Sequence, residues 1–482
     1  GAAVGGAAQQ LSRNDGGNAN RQLKLRLVGN RSNPSGLGVQ IELTAGRWRA
    51  LRTVHALPVE IGVGRRDVVE AVNVRWFDTA STDVDVQVAA APVPLLELIR
   101  PTGSCPYLYA WDGERFRFVT DLLGAAPVGL PAAEGLYIEA DPDEIVWVGD
   151  DTNFRPRDGA YVLEITEELR EVLYLDEAKL LVVDHPPGTE VHPTDKLVPG
   201  RPFPPTGLMT LRNRVPLRRA ENLAGDDVTA ALQAEDGQMV SPPQLRAPQL
   251  RGHAEPHGVV LDFGPLDPAR PLVLAMTGWL RFGGGMANMA AARDPAVPFP
   301  FPRLEAELPD GRWQELEVIV GAPIGKTKTM LVDLAGRLPA GTRRLRWTAG
   351  FEIHWDRVAL FEKAGEAATQ VTRLAPDAAQ LRWRGYSEFA DLPWTRPLTP
   401  DYDRVRDWPD WRLAVTGWCT RYGPVDELLA ERDGGLAILN GGDALGLKFA
   451  ATSLPARPAG AQRTFFLFTV GWDKDADYHV LA

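Results

Sequence analysis

The chain has 482 residues, more than one hydrophobic core normally accommodates, and this length suggests about three domains. Its net charge of −11 and its pI near 5.3 argue against nucleic acid and anionic membrane surfaces as partners. The sequence is rich in Pro (40) and Gly (47), and no apolar run is long enough to span a bilayer. This composition predicts a mainly β protein with several small β-sandwich or jelly-roll-like domains and little helix.

The first predicted unit covers residues 21–95 and follows a Gly/Ala-rich lead-in at residues 1–20. Leucines alternate with basic residues around residues 24–27, which is the pattern of a half-buried strand. A turn at residues 33–36 leads to a second alternating run, and residues 72–76 supply another strand. Several short strands in about 75 residues predict a small sandwich.

Four short motifs in this unit recur together in a known family. They are RNDGGN at residues 13–18, KLRLVG at 24–29, RSNPSGLG at 31–38 and VNVRW at 72–76. Through them, residues 14–76 closely resemble the ASPIC/UnbV module. That module follows a β-propeller of FG-GAP/VCBS repeats in its family, so the resemblance implies the C-terminal part of a larger secreted, bacterial CRTAC1-like protein. The lead-in would be the end of that propeller, and the family implies no catalytic chemistry.

An aromatic hairpin is the strongest local signal, and it belongs to a predicted β domain at residues 96–184. An Asp-Gly turn at residues 112–113 separates two alternating runs, at 107–111 and 115–119, which predicts two paired strands. The large side chains on one face are Tyr107, Tyr109, Trp111, Phe116 and Phe118. We expect this hairpin to be structural, with Trp111 buried between the N-terminal module and the longer region.

The remaining chain is predicted to contain a connector and two β-rich halves. Residues 185–257 are rich in Pro and basic residues and predict a long ordered connector. The tripeptide Thr-Gly-Trp occurs at 277–279 and again at 416–418, which suggests related halves at residues 258–365 and 366–482. The first of these has the strand spacing of a jelly roll.

The candidate metal ligands are three aspartates near the end of the chain, Asp473, Asp475 and Asp477. Carboxylates at i, i+2 and i+4 suit a calcium loop, and in a strand they would share one face. The glycine expected at the sixth position is replaced by Tyr478. Two interpretations therefore stay open, a calcium ion bound by these oxygens or a solvated strand end.

Other patterns that suggest chemistry have structural explanations. Residues 321–327 resemble a phosphate loop but have three residues between the glycines instead of four, which predicts a turn. A proline lies between His253 and His257, so the pair lacks the helical geometry of a zinc protease. The two cysteines, Cys105 and Cys419, are far apart, and we expect both to be buried free thiols.

The favoured function is that of a non-enzymatic secreted protein that binds another protein, a larger assembly or a glycan through β-domain surfaces. No cofactor is required by this hypothesis, and calcium is the one candidate. The alternative is a carbohydrate-active enzyme or its carbohydrate-binding accessory module. A cleft lined by Trp with two facing carboxylates would favour the enzyme, and flat aromatic patches would favour assembly.

Overall fold

The computed structural model describes most of the chain. The described residues are 19–29, 32–76, 80–97, 105–169, 171–246, 252–293, 300–365, 369–390, 392–409 and 418–475. They confirm the mainly β prediction, because strands far outnumber helical segments. The chain divides into two compact units, residues 1–100 with 410–413, and residues 101–409 with 414–482.

The N-terminal unit is a small sandwich of two sheets around its own core. Its strands are β1 (Arg21–Val28), β2 (Gln40–Ala45), β3 (Trp48–Thr53), β4 (Val59–Gly64), β5 (Val68–Arg75), β6 (Ala80–Gln87) and β7 (Val93–Leu96). One sheet has the order β4-β1-β7 and the other β3-β2-β5-β6. Alternating apolar residues such as Leu23, Ile41 and Val72 point into the core, as the sequence pattern predicts.

In the part of the chain that the structure describes, the longer unit contains the remaining strands and one α-helix. Its first elements are β8 (Tyr107–Trp111), β9 (Phe116–Asp121), β10 (Pro131–Ala133), β11 (Leu136–Tyr137), β12 (Asp143–Asp150), β13 (Ala160–Thr166), β14 (Glu171–His185), β15 (Glu190–Pro193), β16 (Leu208–Val215), β17 (Arg219–Asn222), β18 (His253–Asp262), β19 (Leu272–Leu280) and α1 (Gly284–Arg293). Its later elements are β20 (Arg303–Glu307), β21 (Trp313–Glu315), β22 (Lys328–Asp333), β23 (Arg344–Phe351), β24 (Ile353–Lys363), β25 (Gln370–Leu374), β26 (Ala378–Trp383), β27 (Tyr386–Phe389), β28 (Pro400–Arg406), β29 (Gly423–Pro424), β30 (Ala437–Asn440), β31 (Asp443–Ala450) and β32 (Gln462–Asp475). In the described ranges, no helix has both the length and the apolar character that crossing a membrane requires.

The first sandwich of the longer unit has strands from two distant parts of the chain. One sheet has the order β12-β32-β14-β25, with β30 also paired to β14, and the other has the order β29-β26-β31-β13-β8-β9. Leu173 and Leu467 from the first sheet meet Leu163 and Leu445 from the second in one core. The predicted hairpin, β8 and β9, is confirmed and forms one edge of the second sheet.

The second sandwich is formed by the intervening residues. Its sheets have the orders β15-β16-β24-β19-β22 and β17-β18-β23-β20-β21. Met276, Trp347 and Leu360 are among the residues of its core. Strands β19 and β24 are buried over almost their whole length because both are central in their sheet, and the sequence of β19 is almost continuously apolar.

This arrangement differs from two of the sequence predictions. Residues 185–257 do not form a connector, because β15, β16, β17 and the first half of β18 lie within them and pair into the second sandwich. Residues 366–482 do not form a separate half either, since β31 and β32 pair with strands of residues 105–185, and β26 pairs with β31 in the same sheet. The cause is non-local pairing, which local periodicity does not reveal. The second Thr-Gly-Trp lies mostly outside the described residues.

Candidate functional site

A cleft of about 660 Å³ lies between the strands of the first and second sandwiches. The first sandwich contributes residues of β9, β12 and β32, and the second contributes residues of β15, β19 and β22. The two sandwiches are joined beside it by an apolar cluster that includes Phe466, Phe468 and Val191. The volume falls in the range of small-molecule sites, about 300–1,000 Å³.

The cleft has charged side chains of both signs. Four of its lining residues are Arg or Lys and six are Asp or Glu. The charged lining residues are Arg117, Lys328, Arg457, Arg463, Glu144, Asp150, Asp151, Glu190, Asp195 and Glu235. Mixed charge of this kind suits a ligand with many hydroxyl or amide groups better than one with a strong net charge.

The carboxylate of Glu190, on one wall of the cleft, is held by the side chains of Arg357 and His192. Arg357 donates from its two terminal nitrogens to the two carboxylate oxygens at 3.0 and 2.6 Å. Nε2 of His192 lies 2.9 Å from Oε2 of the same carboxylate. Burial by itself raises the pKa of Glu190, but these contacts lower it to about 2. Glu190 is therefore a fixed anion throughout the physiological range.

Asp195 lies in the same cleft, but its pKa is shifted in the opposite direction from that of Glu190. Its Oδ2 accepts a hydrogen bond from the backbone N–H of Ile145 at 2.9 Å. Burial raises the pKa of Asp195 to about 8, and the nearby Glu144 carboxylate adds to the effect. The carboxyl group of Asp195 is therefore protonated at neutral pH and can donate a hydrogen bond.

Trp147 gives the cleft an aromatic surface. It lies on β12, is 40% exposed, and has the Arg117 guanidinium 5.7 Å from its ring centroid. Other exposed tryptophans, Trp383, Trp394, Trp408 and Trp418, do not line the cleft. The two functional hypotheses therefore both stay predictions, since the described cleft has one exposed tryptophan and other exposed tryptophans lie elsewhere.

The inner part of the cleft has a cluster of three charged groups, Lys328, Asp121 and Glu144. Nζ of Lys328 lies 3.0 Å from Oδ1 of Asp121 and 3.0 Å from Oε1 of Glu144. Burial raises the pKa of Glu144 despite the attraction of the Lys328 ammonium. Burial by itself lowers the pKa of Lys328, but the two carboxylates raise it overall.

The predicted calcium ligands are only partly described. Asp473 is buried on β32, whereas Asp477 and the side chain of Asp475 lie outside the described residues. Asp473 instead meets Glu167 and Glu171, and ligand oxygens of all three lie within 4.8 Å of one another. Burial, followed by the Asp473 carboxylate, raises the pKa of Glu167 well above its usual range. The oxygens are suitable for a cation, and the calcium hypothesis stays a prediction.

The aromatic hairpin packs under another hairpin of the same unit. Tyr402 on β28 contacts the rings of Tyr109 and Phe116, at centroid distances of 5.0 and 4.5 Å. The hydroxyl of Tyr109 donates to Oε1 of Glu168 at 2.7 Å. Trp111 is only partly buried and contacts Arg157, so its expected central position was wrong for this unit. The buried aromatic residues of β8 are Tyr107 and Tyr109. Trp111 is less buried because it is the last residue of the strand.

The cysteine prediction was half wrong. Cys105 is buried as expected, but Cys419 is exposed. Cys419 lies outside the described strands, a few residues before the short strand β29. The stretch at residues 321–327 is a turn, as expected, with Gly321 and Gly325 at positive φ.

Comparisons with known proteins give no relative for this chain. Searches of protein-family models, of curated proteins and of solved structures find no match. The functional hypotheses therefore depend on the geometry of the residues themselves. No sequence pattern predicted Glu190, Asp195 or the three residues of the charged cluster. Glu190 and Asp195 are five residues apart, but the cluster residues Asp121, Glu144 and Lys328 are far from them and from one another, so no spacing pattern connects the set.

Proposed function

We propose that this chain is a secreted, non-enzymatic binding protein that holds a polar ligand of the saccharide type in the cleft between its two larger sandwiches. The observation that carries the proposal is the composition of the cleft, a tryptophan face surrounded by charged groups of both signs. Saccharides have hydroxyl groups that donate and accept hydrogen bonds, and they have apolar ring faces that pack on aromatic side chains.

Each wall group has a defined part in this binding. Glu190 is a permanent anion and accepts hydrogen bonds from ligand hydroxyls. The protonated Asp195 donates a hydrogen bond at neutral pH. Trp147 packs against an apolar face of the ligand. The groups are held by the strands themselves or by contacts with them, so little ordering is needed on binding.

Calorimetry with a panel of neutral oligosaccharides tests the proposal. We expect at least one to bind, and we expect Trp147→Ala to weaken that binding by about tenfold, the usual size of an aromatic contact. The matched control is Trp383→Ala, since Trp383 is similarly exposed and does not line the cleft. Equal losses in both variants, or no binding by any member of the panel, would contradict the proposal.

The second candidate is a carbohydrate-active enzyme, and the divergent pKa values in the cleft favour it. A carboxyl with a pKa of about 8 and a carboxylate with a pKa of about 2 are the kind of pair that divides acid and base roles. Against it, Arg357 holds both oxygens of Glu190, and a pKa so far from neutrality makes a weak base. Release of reducing ends that disappears in Asp195→Asn would favour the enzyme over the binding protein.

We also propose that residues 14–76 are an ASPIC/UnbV-type module of a secreted CRTAC1-like protein. Support comes from the turn that contains the RSNPSGLG motif. Gly36 has φ +72°, and a Cβ there would lie 2.5 Å from a methyl group of Leu27, so the motif glycine is required by the fold. Fractionation of cells that express the full reading frame tests this proposal, with the protein expected outside the cytoplasm.

A further inference from the structure

Three charged residues meet between the two sandwiches and lie largely out of the solvent. Asp121 ends β9, Glu144 lies on β12, and Lys328 begins β22 of the second sandwich. Their side chains are 5%, 3% and 14% exposed. Nζ of Lys328 lies 3.0 Å from an oxygen of each carboxylate and donates to the carbonyl of Ile324 at 2.6 Å.

The turn before β22 holds the Asp121 carboxylate in place. The backbone N–H of Lys326 lies 3.0 Å from both oxygens of Asp121. Gly325 has φ +74°, and a Cβ at this position would lie 2.2 Å from Oδ2 of Asp121. Only glycine allows the turn to approach this closely. The carboxyl carbon of Asp121 is therefore fixed beside the Lys328 amine.

An ion pair alone does not account for this cluster. The Lys328 ammonium lies against two carboxylates, and the neighbouring Lys326 is a weak second cation because burial lowers its pKa to about 8. Glu144 is therefore the residue that needs an explanation. Its second oxygen accepts a hydrogen bond from the backbone N–H of Leu123, so it is also held in a fixed position.

We propose that Lys328 and Asp121 condense to form an intramolecular isopeptide bond, with Glu144 as the proton-transfer group. The Nζ–Cγ bond forms, one Cγ–O bond of Asp121 breaks, and water leaves. The Lys328 ammonium has three protons, of which one remains on the amide nitrogen and two leave with the oxygen. The sum of an ammonium and a carboxylate thus gives an amide and water, with no oxidant or other reactant.

The geometry gives each group a role in this condensation. Glu144 takes a proton from Nζ against the raised pKa of the Lys328 ammonium, which makes the amine nucleophilic, and returns the proton to the departing oxygen. The elevated pKa that burial gives Glu144 suits it to accept that proton. The Lys326 N–H stabilises the negative charge that develops on the Asp121 oxygen during the attack. Nζ lies 3.0 Å from Oδ1, which is bonded to the Cγ atom that the amine attacks, so the two reacting groups are already neighbours.

The bond would link Asp121 and Lys328, which are 207 residues apart in the sequence and lie on strands of different sandwiches. Both Glu144 and Lys328 line the cleft, so the link would also hold the two cleft walls at a fixed separation. This inference does not depend on what the cleft binds. A cross-link of this kind resists reducing agents, unlike a disulfide.

Intact-mass measurement of the folded, unmodified protein tests the proposal directly. We expect a mass lower than the sequence mass by one water molecule, and after proteolysis one branched product that joins the peptides of Asp121 and Lys328. A cyclised Asp-Gly sequence would also lose water but would leave the two peptides separate. The full sequence mass, or a water loss confined to a single linear peptide, would overturn the proposal.

Variants of Lys328 and Glu144 test whether the water loss depends on these side chains while the fold is retained. We expect Lys328→Arg and Glu144→Gln to have their full sequence masses while circular dichroism shows a retained β fold. The matched control is Lys196→Arg, because Lys196 is a buried lysine that donates to two backbone carbonyls and has no part in the cluster. This control should still lack one water. Water loss that persists in Lys328→Arg would overturn the assignment of the bond, and persistence in Glu144→Gln would overturn the role of Glu144.

Discussion

Two carboxyl groups of the cleft have opposite protonation states because their partners differ. Glu190 faces a guanidinium and an imidazole, whereas Asp195 has one backbone N–H and lies near another carboxylate. Burial removes water from both carboxyl groups, and this effect alone would raise the pKa of each. The contacts of Glu190 outweigh this effect of burial, whereas the hydrogen bonds of Asp195 with the Ile145 N–H and the Thr206 side chain do not.

Asp195 should therefore destabilise the folded protein as pH rises. Its folded pKa of about 8 exceeds the unfolded value of about 3.9, so the folded state binds more protons between these values. The stability lost from this group grows from about pH 4 to about pH 8. We expect Asp195→Asn to have nearly parental stability at about pH 4 and a higher free energy of unfolding at about pH 9, measured by urea denaturation.

The control for this experiment is Asp158→Asn, because the side chain of Asp158 is 95% exposed. Asn also tolerates the positive φ of Asp158. A stability difference for Asp195→Asn that is the same at all pH values would contradict the assigned pKa. It would indicate that the carboxyl is hydrated in solution.

At the scale of elements, the aromatic hairpin shows which features a local sequence pattern predicts and which depend on distant strands. Alternation around the Asp-Gly turn was enough to predict β8 and β9 and the shared face of their aromatics. The covering layer is β27 and β28, nearly 280 residues later, with Arg384 paired to Glu168 beneath it. The identity of that layer depends on long-range pairing, which no local pattern includes.

The position along the hairpin decides how much each aromatic contributes to stability. We expect Tyr109→Ala to lower the free energy of unfolding by about 3–5 kcal/mol, because it is fully buried and donates to Glu168. Trp111 is partly exposed at the end of β8, so Trp111→Ala should cost about half as much. Urea denaturation of both variants checks this order. Equal costs would mean that Trp111 has contacts beyond those described.

Long-range pairing also limits what the sequence predicts about the candidate site. The strands that hold Asp121, Glu144 and Lys328 are predicted in part by periodicity, but their meeting depends on the pairing of the sheets and the packing of the sandwiches. The turn at residues 321–327 was recognised as a turn and not as a phosphate loop. Its actual partner, the carboxylate of Asp121, lies some 200 residues earlier. Sequence spacing alone does not reveal such a pair.

At the scale of the whole molecule, the second sandwich is inserted into the first. Strand β14 and strand β25 pair directly, with Asp184 opposite Gln370, and the chain between them forms the complete second sandwich. The first sandwich closes only when β26, β31 and β32 arrive from the C-terminal part. Its core therefore depends on contacts of high sequence separation, which form slowly in folding.

The two parts should consequently differ in their ability to fold alone. Residues 186–365 contain all strands of both sheets of the second sandwich and its core, including the fully buried Trp347 and Trp355. We expect this fragment to fold, with a cooperative urea transition in tryptophan fluorescence. Residues 105–185 keep the pairing of β13 with β8 but lack β31 and every partner of β14, so their unpaired strand edges should leave them unfolded or aggregated. A folded 105–185 fragment, or an unfolded 186–365 fragment, would contradict the insertion of one autonomous sandwich into another.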